Sequence, residues 1–482
     1  MNFHARLAAP VALTLSLLLP VAGRCQSFTN SATLSASVEG SNLLITGSMT
    51  TTQGWLTLLQ ADRPPQFTTS NAQPVALVPA PPSLRTQFRL PADPSTPAKF
   101  YRLLIQESPA LQTMLPFLAP TPPTAYTTWW DWQQFLNASA VSNVITEWAT
   151  NGLLAAGWDL IWLDDGWNLS SRDTNGDLAY NPSLFPDGIK PVADYAHAKG
   201  FRFGIYVSYS AYDCLGLAGT TSNTVARDVA LFARWGMDAI KVDACHGQPS
   251  DASFHQRFML FGDAMIQSGR PMALLYTVNT VVPRYPTPPE AASAANVWED
   301  GQGSFYNLPT LVNLAASVAA NDASLVGKGH YCELAGQSDA EIPPELLRAW
   351  VSLAAILSSP LIISDLTPSR FAYVTNREVL SVLRDPAAIC GSISQAPSSA
   401  VTVWSKPLGF QGSGTNAVVV VNTAATNSDV VVSFPLNGYG VGEQVCVKDL
   451  WAGTNVGTFT AAWTNSAPPN SAQMFLLKAC HP

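Results

Sequence analysis

Between residues 121 and 387 the chain repeats one pattern, a short apolar run followed by a helical stretch. The runs are AYTTWW, WDLIWLDDG, FRFGIYVSY, MDAIKVDAC, MALLYTV, NVWEDG, LVGKGHYCEL and PLIISD. Among the stretches between them are VITEWATNGLLAAG, GIKPVADYAHAKG, TVARDVALFARWG and PPELLRAWVSLAAIL. Strands that alternate with helices form a parallel sheet with helices packed on its faces. Eight such units in about 265 residues predict an α/β fold, a (β/α)8 TIM barrel.

The flanks follow a different rhythm. Residues 26–115 hold short alternating runs such as ATLSASVEG, NLLITGSM and KFYRLLIQ, separated by turn residues. They predict a small N-terminal β domain, and the Pro-rich MLPFLAPTPPTAY reads as a linker to the barrel. Helical patterning stops near residue 388. AVTVWSK, NAVVVVNTA, SDVVVSFPL, EQVCVKDLW and AQMFLLKA then predict a C-terminal antiparallel β-sandwich domain over residues 388–482.

Residues 1–25 have the layout of a signal peptide: Arg6, an apolar run, then small residues. The run is shorter than the ~20 residues a membrane span needs, and it contains two prolines. The expectation is a secreted protein, extracellular or periplasmic, with no membrane span. Six of the seven cysteines lie beyond this leader, in a compartment where disulfides persist. There is no C-x-x-C pair, no H-E-x-x-H and no phosphate-binding G-x-x-x-x-G-K-[ST], so no metal or nucleotide cofactor is expected. Only 12% of residues are charged and the net charge is −8, which argues against a nucleic-acid partner.

Chemistry in a barrel of this kind sits at the C-terminal ends of the strands. In MDAIKVDACHG, Lys241, Asp243 and Cys245 fall at every second position and share one face of a strand. The neighbouring ammonium is expected to hold Asp243 ionised, and an ionised, positioned carboxylate can attack a sugar carbon. A structural ion pair would give the same local pattern. The second strand ends in Asp164 and Asp165 with Trp167 nearby. Adjacent carboxylates repel, and the hydroxyls of a bound sugar are one means of offsetting that. The sixth strand ends in Glu299 and Asp300, and the first carries Tyr126, Trp129 and Trp130, aromatic candidates for stacking on a sugar ring. Carboxylates on separate strand ends together with aromatics suit a glycoside hydrolase.

Several long motifs in order now point to a family. TPPTAYTTW, GWDLIWLDDGW, RDTNGDLAYNPSLFPDGIKPVADYAHAKGFRFGIY, WGMDAIKVDAC, VWSKPL and VKDLW resemble the alpha-galactosidases of glycoside hydrolase family 27 over most of residues 121–480. The resemblance implies Asp243 as the nucleophile, Asp164 and Asp165 as binders of sugar hydroxyls, Lys241 as a sugar contact, and a disulfide between Cys214 and Cys245. Tyr126, Trp129 and Glu299 complete the expected substrate-binding set.

The chain also departs from the family. WEDGQG stands where the family has WRxxxD, LLYTVNTVV lacks the family's CxW segment, and GHYCELAG replaces DPDML. Asp300 is the first candidate for the acid/base and Glu299 the second, because alternation would place Asp300 on the face of Trp298. The resulting expectation is a secreted retaining exo-glycosidase, alpha-galactosidase-like, working on an oligo- or polysaccharide through a covalent glycosyl-aspartate and without a cofactor. The alternatives are an isomaltose-releasing dextranase, an alpha-N-acetylgalactosaminidase, a beta-L-arabinopyranosidase, or a noncatalytic sugar-binding protein on a degenerate barrel.

Overall fold

The computed structural model describes residues 118–243, 251–277, 307–321, 342–364, 366–409 and 414–480, six strands between residues 32 and 106, and short runs at 245, 296–299, 326–327, 329–334 and 337–338. The chain divides into two compact units, Met1–Phe117 with Gly269–Pro271, and the remainder. The expected leader lies outside the described residues, as does Asp300.

In the first unit the strands are β1 (Ala32–Glu39), β2 (Asn42–Met49), β3 (Trp55–Ala61), β4 (Gln73–Pro79), β5 (Arg85–Pro91) and β6 (Phe100–Gln106). They form two antiparallel three-stranded sheets, ordered β1-β2-β5 and β4-β3-β6.

The second unit opens with β7 (Thr124–Thr127), α1 (Ala138–Thr150) and β8 (Leu160–Leu163). A small hairpin follows, β9 (Asn168–Arg172) and β10 (Leu178–Tyr180), then α2 (Lys190–Lys199), β11 (Arg202–Ser208), α3 (Val225–Trp235) and β12 (Ala239–Asp243). Next come α4 (Asp251–Ser268), β13 (Ala273–Thr277), β14 (Val297–Glu299), α5 (Leu308–Asn321), β15 (Tyr331–Glu333) and β16 (Gln337–Ser338). The last of this series are α6 (Pro344–Leu357), β17 (Leu361–Ser364) and α7 (Arg377–Leu383).

Local chemistry explains the punctuation. The Asn137 side chain accepts the Ala140 N–H and caps α1. Helices α2 and α3 stop at Gly200 and Gly236, which hold left-handed φ values of 95° and 83°, a conformation glycine adopts without Cβ strain. Each helix then returns to the sheet within two or three residues.

All nine strands from β7 to β17, apart from the hairpin, join one parallel sheet ordered β15-β14-β13-β12-β11-β8-β7-β17-β16. Its two edge strands are consecutive in sequence. The four steps from Glu333 to Gln337 span at most about 14 Å, so the sheet has to curl back on itself. The expected eight strands become nine because the seventh arrives in two pieces, and the described architecture is a curled sheet, a partial barrel.

Its interior is lined by Ala125, Leu160, Trp162, Ala239, Ala273, Leu275, Val297 and Ile362. Where one strand contributes two residues, Leu160 and Trp162 or Ala273 and Leu275, they alternate as the pleat requires. Trp162 fits because its neighbours are small: a Cβ on Gly204 would lie 3.0 Å from Trp162 Cβ and 3.1 Å from that of Ala239.

The chain ends in an antiparallel β-sandwich. One sheet runs β18 (Ser392–Ser398), β19 (Val401–Pro407), β20 (Thr415–Asn422), β25 (Ser471–Ala479), β22 (Gln444–Asp449) and β23 (Thr454–Thr460); β21 (Ser428–Ser433) pairs with β24 (Ala462–Ala467). Val403, Val420, Trp463 and Phe475 are among its core residues, and Cys446 is disulfide-bonded to Cys480. Helix α6 is apolar nearly all round and buried along most of its length. That suits its place between helices α5 and α7 and strands β19, β20 and β25. Lys406 of β19 is wholly buried there. Its ammonium donates to the Ala355 carbonyl (3.0 Å), the Ser358 hydroxyl (2.7 Å) and the Val382 carbonyl (2.8 Å), so it caps the C-terminal turns of α6 and α7. No helix among the described residues is long and apolar enough to cross a membrane.

Candidate active site

The inward face of β12 carries Ala239, Lys241 and Asp243, and parallel pairing sets Tyr206 of β11 beside Lys241 and Ser208 beside Asp243. The Tyr206 hydroxyl donates to Asp243 Oδ2 at 3.1 Å. Burial, and then the carboxylates of Asp243, Asp165 and Asp164, push the Tyr206 phenol far above its ordinary range. It therefore stays a neutral donor that orients Asp243. Directly beyond, Cys245 is disulfide-bonded to Cys214, and its N–H donates to Ser208 Oγ at 3.1 Å. The disulfide ties the loop after β11 to the end of β12. Asp243 lies close to both sulfurs, but these are bonded to each other and offer no thiolate for a metal.

The partner of Lys241 corrects the sequence-based picture. Its ammonium reaches Asp164 Oδ2 at 3.0 Å, across β11 to the end of β8. The same oxygen accepts from Thr127 Oγ1 (2.8 Å) and Trp162 Nε1 (3.0 Å), while Oδ1 accepts the Asp165 N–H (2.9 Å). Burial acts to raise the Asp164 pKa, but the Lys241 charge and these hydrogen bonds outweigh it and hold the carboxyl below its usual value. Lys241 Nζ also lies 5.9 Å from the Trp162 ring centroid and 5.8 Å from that of Tyr206, flanked by two π faces. Asp165, next along, is 2% exposed. Protein groups therefore already offset the charge of Asp164.

A pocket opens at this end of the sheet. Thr127, Trp129, Trp130, Trp162, Lys241, Thr277 and Glu333 are among its lining residues. Trp130 is 44% exposed, as a stacking platform at a mouth should be. Tyr126 stands apart. Its ring packs edge-on against Trp148 of α1 at 5.3 Å, and its hydroxyl donates to Asp131 and accepts from Trp132. It occupies the outward face of β7, while Thr127 occupies the inward one. Glu299 stands in register between Thr277 and Glu333 on adjacent strands.

The sequence pattern of the alpha galactosidase A family matches residues 131–385, more than half of the chain, and that of the alpha galactosidase C-terminal beta sandwich domain matches residues 398–477. The chain belongs to glycoside hydrolase family 27. A probable alpha-galactosidase of Dictyostelium discoideum is 27% identical to this family 27 hydrolase over 369 residues, 75% of this chain and 93% of that protein. An alpha-N-acetylgalactosaminidase of Gallus gallus is 26% identical over 70% of this chain and 87% of its own length. The crystal structure of alpha-galactosidase I from Mortierella vinacea superimposes with a TM-score of 0.68 at 20% identity, covering 76% of this chain and 99% of that one.

Three residues at this end of the sheet escaped sequence reasoning: Tyr206, Thr277 and Glu333. Tyr206 and Thr277 look like ordinary apolar-strand residues until the register sets them beside Lys241 and Glu299. Glu333 sits in GHYCELAG, where the family's own motif is missing. A carboxylate at a strand end was the available signal.

Proposed function

We propose that this family 27 hydrolase is a secreted, retaining exo-glycosidase that removes a terminal alpha-linked galactose or a closely related sugar. The observation that carries the reading is Asp243 at the mouth end of β12, with one carboxylate oxygen held by Tyr206 and the Asp164–Lys241 pair beside it. In this reading the curled sheet closes as a (β/α)8 barrel. Asp243 attacks the anomeric carbon and forms a glycosyl-aspartate, and Trp129 and Trp130 flank the ring.

The acid/base comes from strand β14. Val297 lines the pocket, and position 299 falls on the same face two residues later. This favours Glu299 over Asp300, the first candidate from sequence, whose claim rested on sharing a face with Trp298. The leader-like residues 1–25 and the two disulfides support secretion.

Thr277, Glu299 and Glu333 stand abreast on β13, β14 and β15, where the family's Arg, CxW and DPDML motifs are missing. This rebuilt wall makes the choice of sugar the open variable within the family. Turnover of aryl alpha-galactoside, aryl alpha-N-acetylgalactosaminide, aryl beta-L-arabinopyranoside and dextran tests it. Labelling by the matching 2-fluoro sugar should place the adduct on Asp243, and an adduct on any other carboxylate removes the assignment.

A further inference from the structure

We propose that Asp213 is a positioning residue that shares one proton with Asp165, so that Asp165 meets the substrate as a neutral carboxylic acid beside the charged Asp164. The sugar-facing part of this inference rests on the glycosidase reading above; the shared proton does not.

Asp165 and Asp213 are each 2% exposed, and their carboxyls are in hydrogen-bond contact. Two touching carboxylates in a buried site cannot both be ionised. The surrounding donors decide which one keeps the proton. Asp213 Oδ1 accepts the N–H groups of Leu215 (3.1 Å) and Leu217 (2.7 Å). Asp165 Oδ1 accepts the Gly166 N–H at 2.8 Å. Its Oδ2 is buried and finds no donor among the described residues, a costly state for an ionised oxygen. Protonation turns that oxygen into the donor that Asp213 can accept.

The pair is held from both sides. Asn168 of β9 donates to the Ala218 carbonyl at 2.7 Å, bracing the loop after β11 that carries Asp213. Cys214, the next residue, is anchored to Cys245. Among the described residues, the neighbouring ionisable groups have partners of their own. Asp164 is bound by Lys241, Tyr206 is a neutral phenol donating to Asp243, and Arg172 of β9 forks onto Asp228. Burial first, then the charge and hydrogen bond of Asp213, push the Asp165 carboxyl up to about 8. Above that pH a further negative charge appears beside Asp164 and Asp243.

Two measurements test this. Infrared spectra of the whole protein should show a protonated-carboxyl stretch at pH 7 that titrates away near pH 8, is missing in Asp165→Asn, and shifts its midpoint to lower pH in Asp213→Asn. This arm needs no turnover, so it separates failure of the shared proton from failure of the glycosidase reading. In the second arm, Asp165→Asn mimics the neutral acid and should keep KM for an aryl alpha-galactoside within about fivefold of wild type, since one neutral hydrogen bond replaces another. Wild type should show a KM that rises above pH 8, and Asp165→Asn should flatten that rise. Asp165→Ala should raise KM on the order of tenfold. An identical infrared band in wild type and Asp165→Asn overturns the shared proton. A KM in Asp165→Asn as poor as in Asp165→Ala overturns the neutral-acid role.

Discussion

Lys241 does not serve the carboxylate on its own strand; its ammonium lies 3.0 Å from Asp164 Oδ2, on a residue 77 positions earlier in the chain. This cross-strand pair locks the end of β8 to β12 and leaves Asp243 to be oriented by Tyr206.

Removing Lys241 isolates a buried charge. Lys241→Met should destabilise the protein by about 3 kcal/mol near neutral pH, read by denaturant unfolding. In wild type the Asp164 pKa is lowered, so its contribution is present above the usual carboxylate range and lost as pH falls through the lowered value. In the variant the Lys241 charge no longer opposes burial, so that pKa rises above its wild-type value. The deficit should therefore shrink on acidification, and a deficit that grows instead contradicts the pairing.

Acid/base assignment is settled by rescue. Replacing the true residue with Ala should slow substrates with poor leaving groups on the order of 10²–10⁴-fold and spare activated aryl glycosides. Azide should restore turnover by attacking the glycosyl-enzyme. The expected result is rescue of Glu299→Ala and none of Asp300→Ala; the reverse returns the role to Asp300.

The rebuilt wall should set specificity. Thr277 Oγ1 is buried without a partner among the described residues, and Glu333 is 7% exposed at the same pocket. Glu333→Gln should cost about 1–3 kcal/mol of transition-state binding, seen in kcat/KM for the preferred sugar and much less for an analogue lacking the hydroxyl it reads. An equal loss on both sugars would make Glu333 structural.

Stability of the join between the curled sheet and the sandwich depends on Lys406. Lys406→Met leaves the carbonyls of Ala355 and Val382 without this donor. It should destabilise by roughly 2–4 kcal/mol, lowering the thermal midpoint while KM stays unchanged. A shift in KM with no change in midpoint would contradict this role.

The alternation of strands and helices, the antiparallel C-terminal strands and the sharing of one face by Lys241 and Asp243 were all legible in the sequence. Each is a local periodicity, of about 3.6 in helices and 2 in strands. Tyr126 shows where the local signal stops. A tyrosine near a strand end is a sugar platform on one face and a core residue on the other, and only the packing of Trp148 against it decided which. The curl of the sheet rests on the split strand β15–β16, which no periodicity marks. The same holds for the partners of Lys241 and Asp165. These are contacts between residues dozens of positions apart, and hydrogen-bond geometry over such separations exists only once β8, β11 and β12 lie side by side.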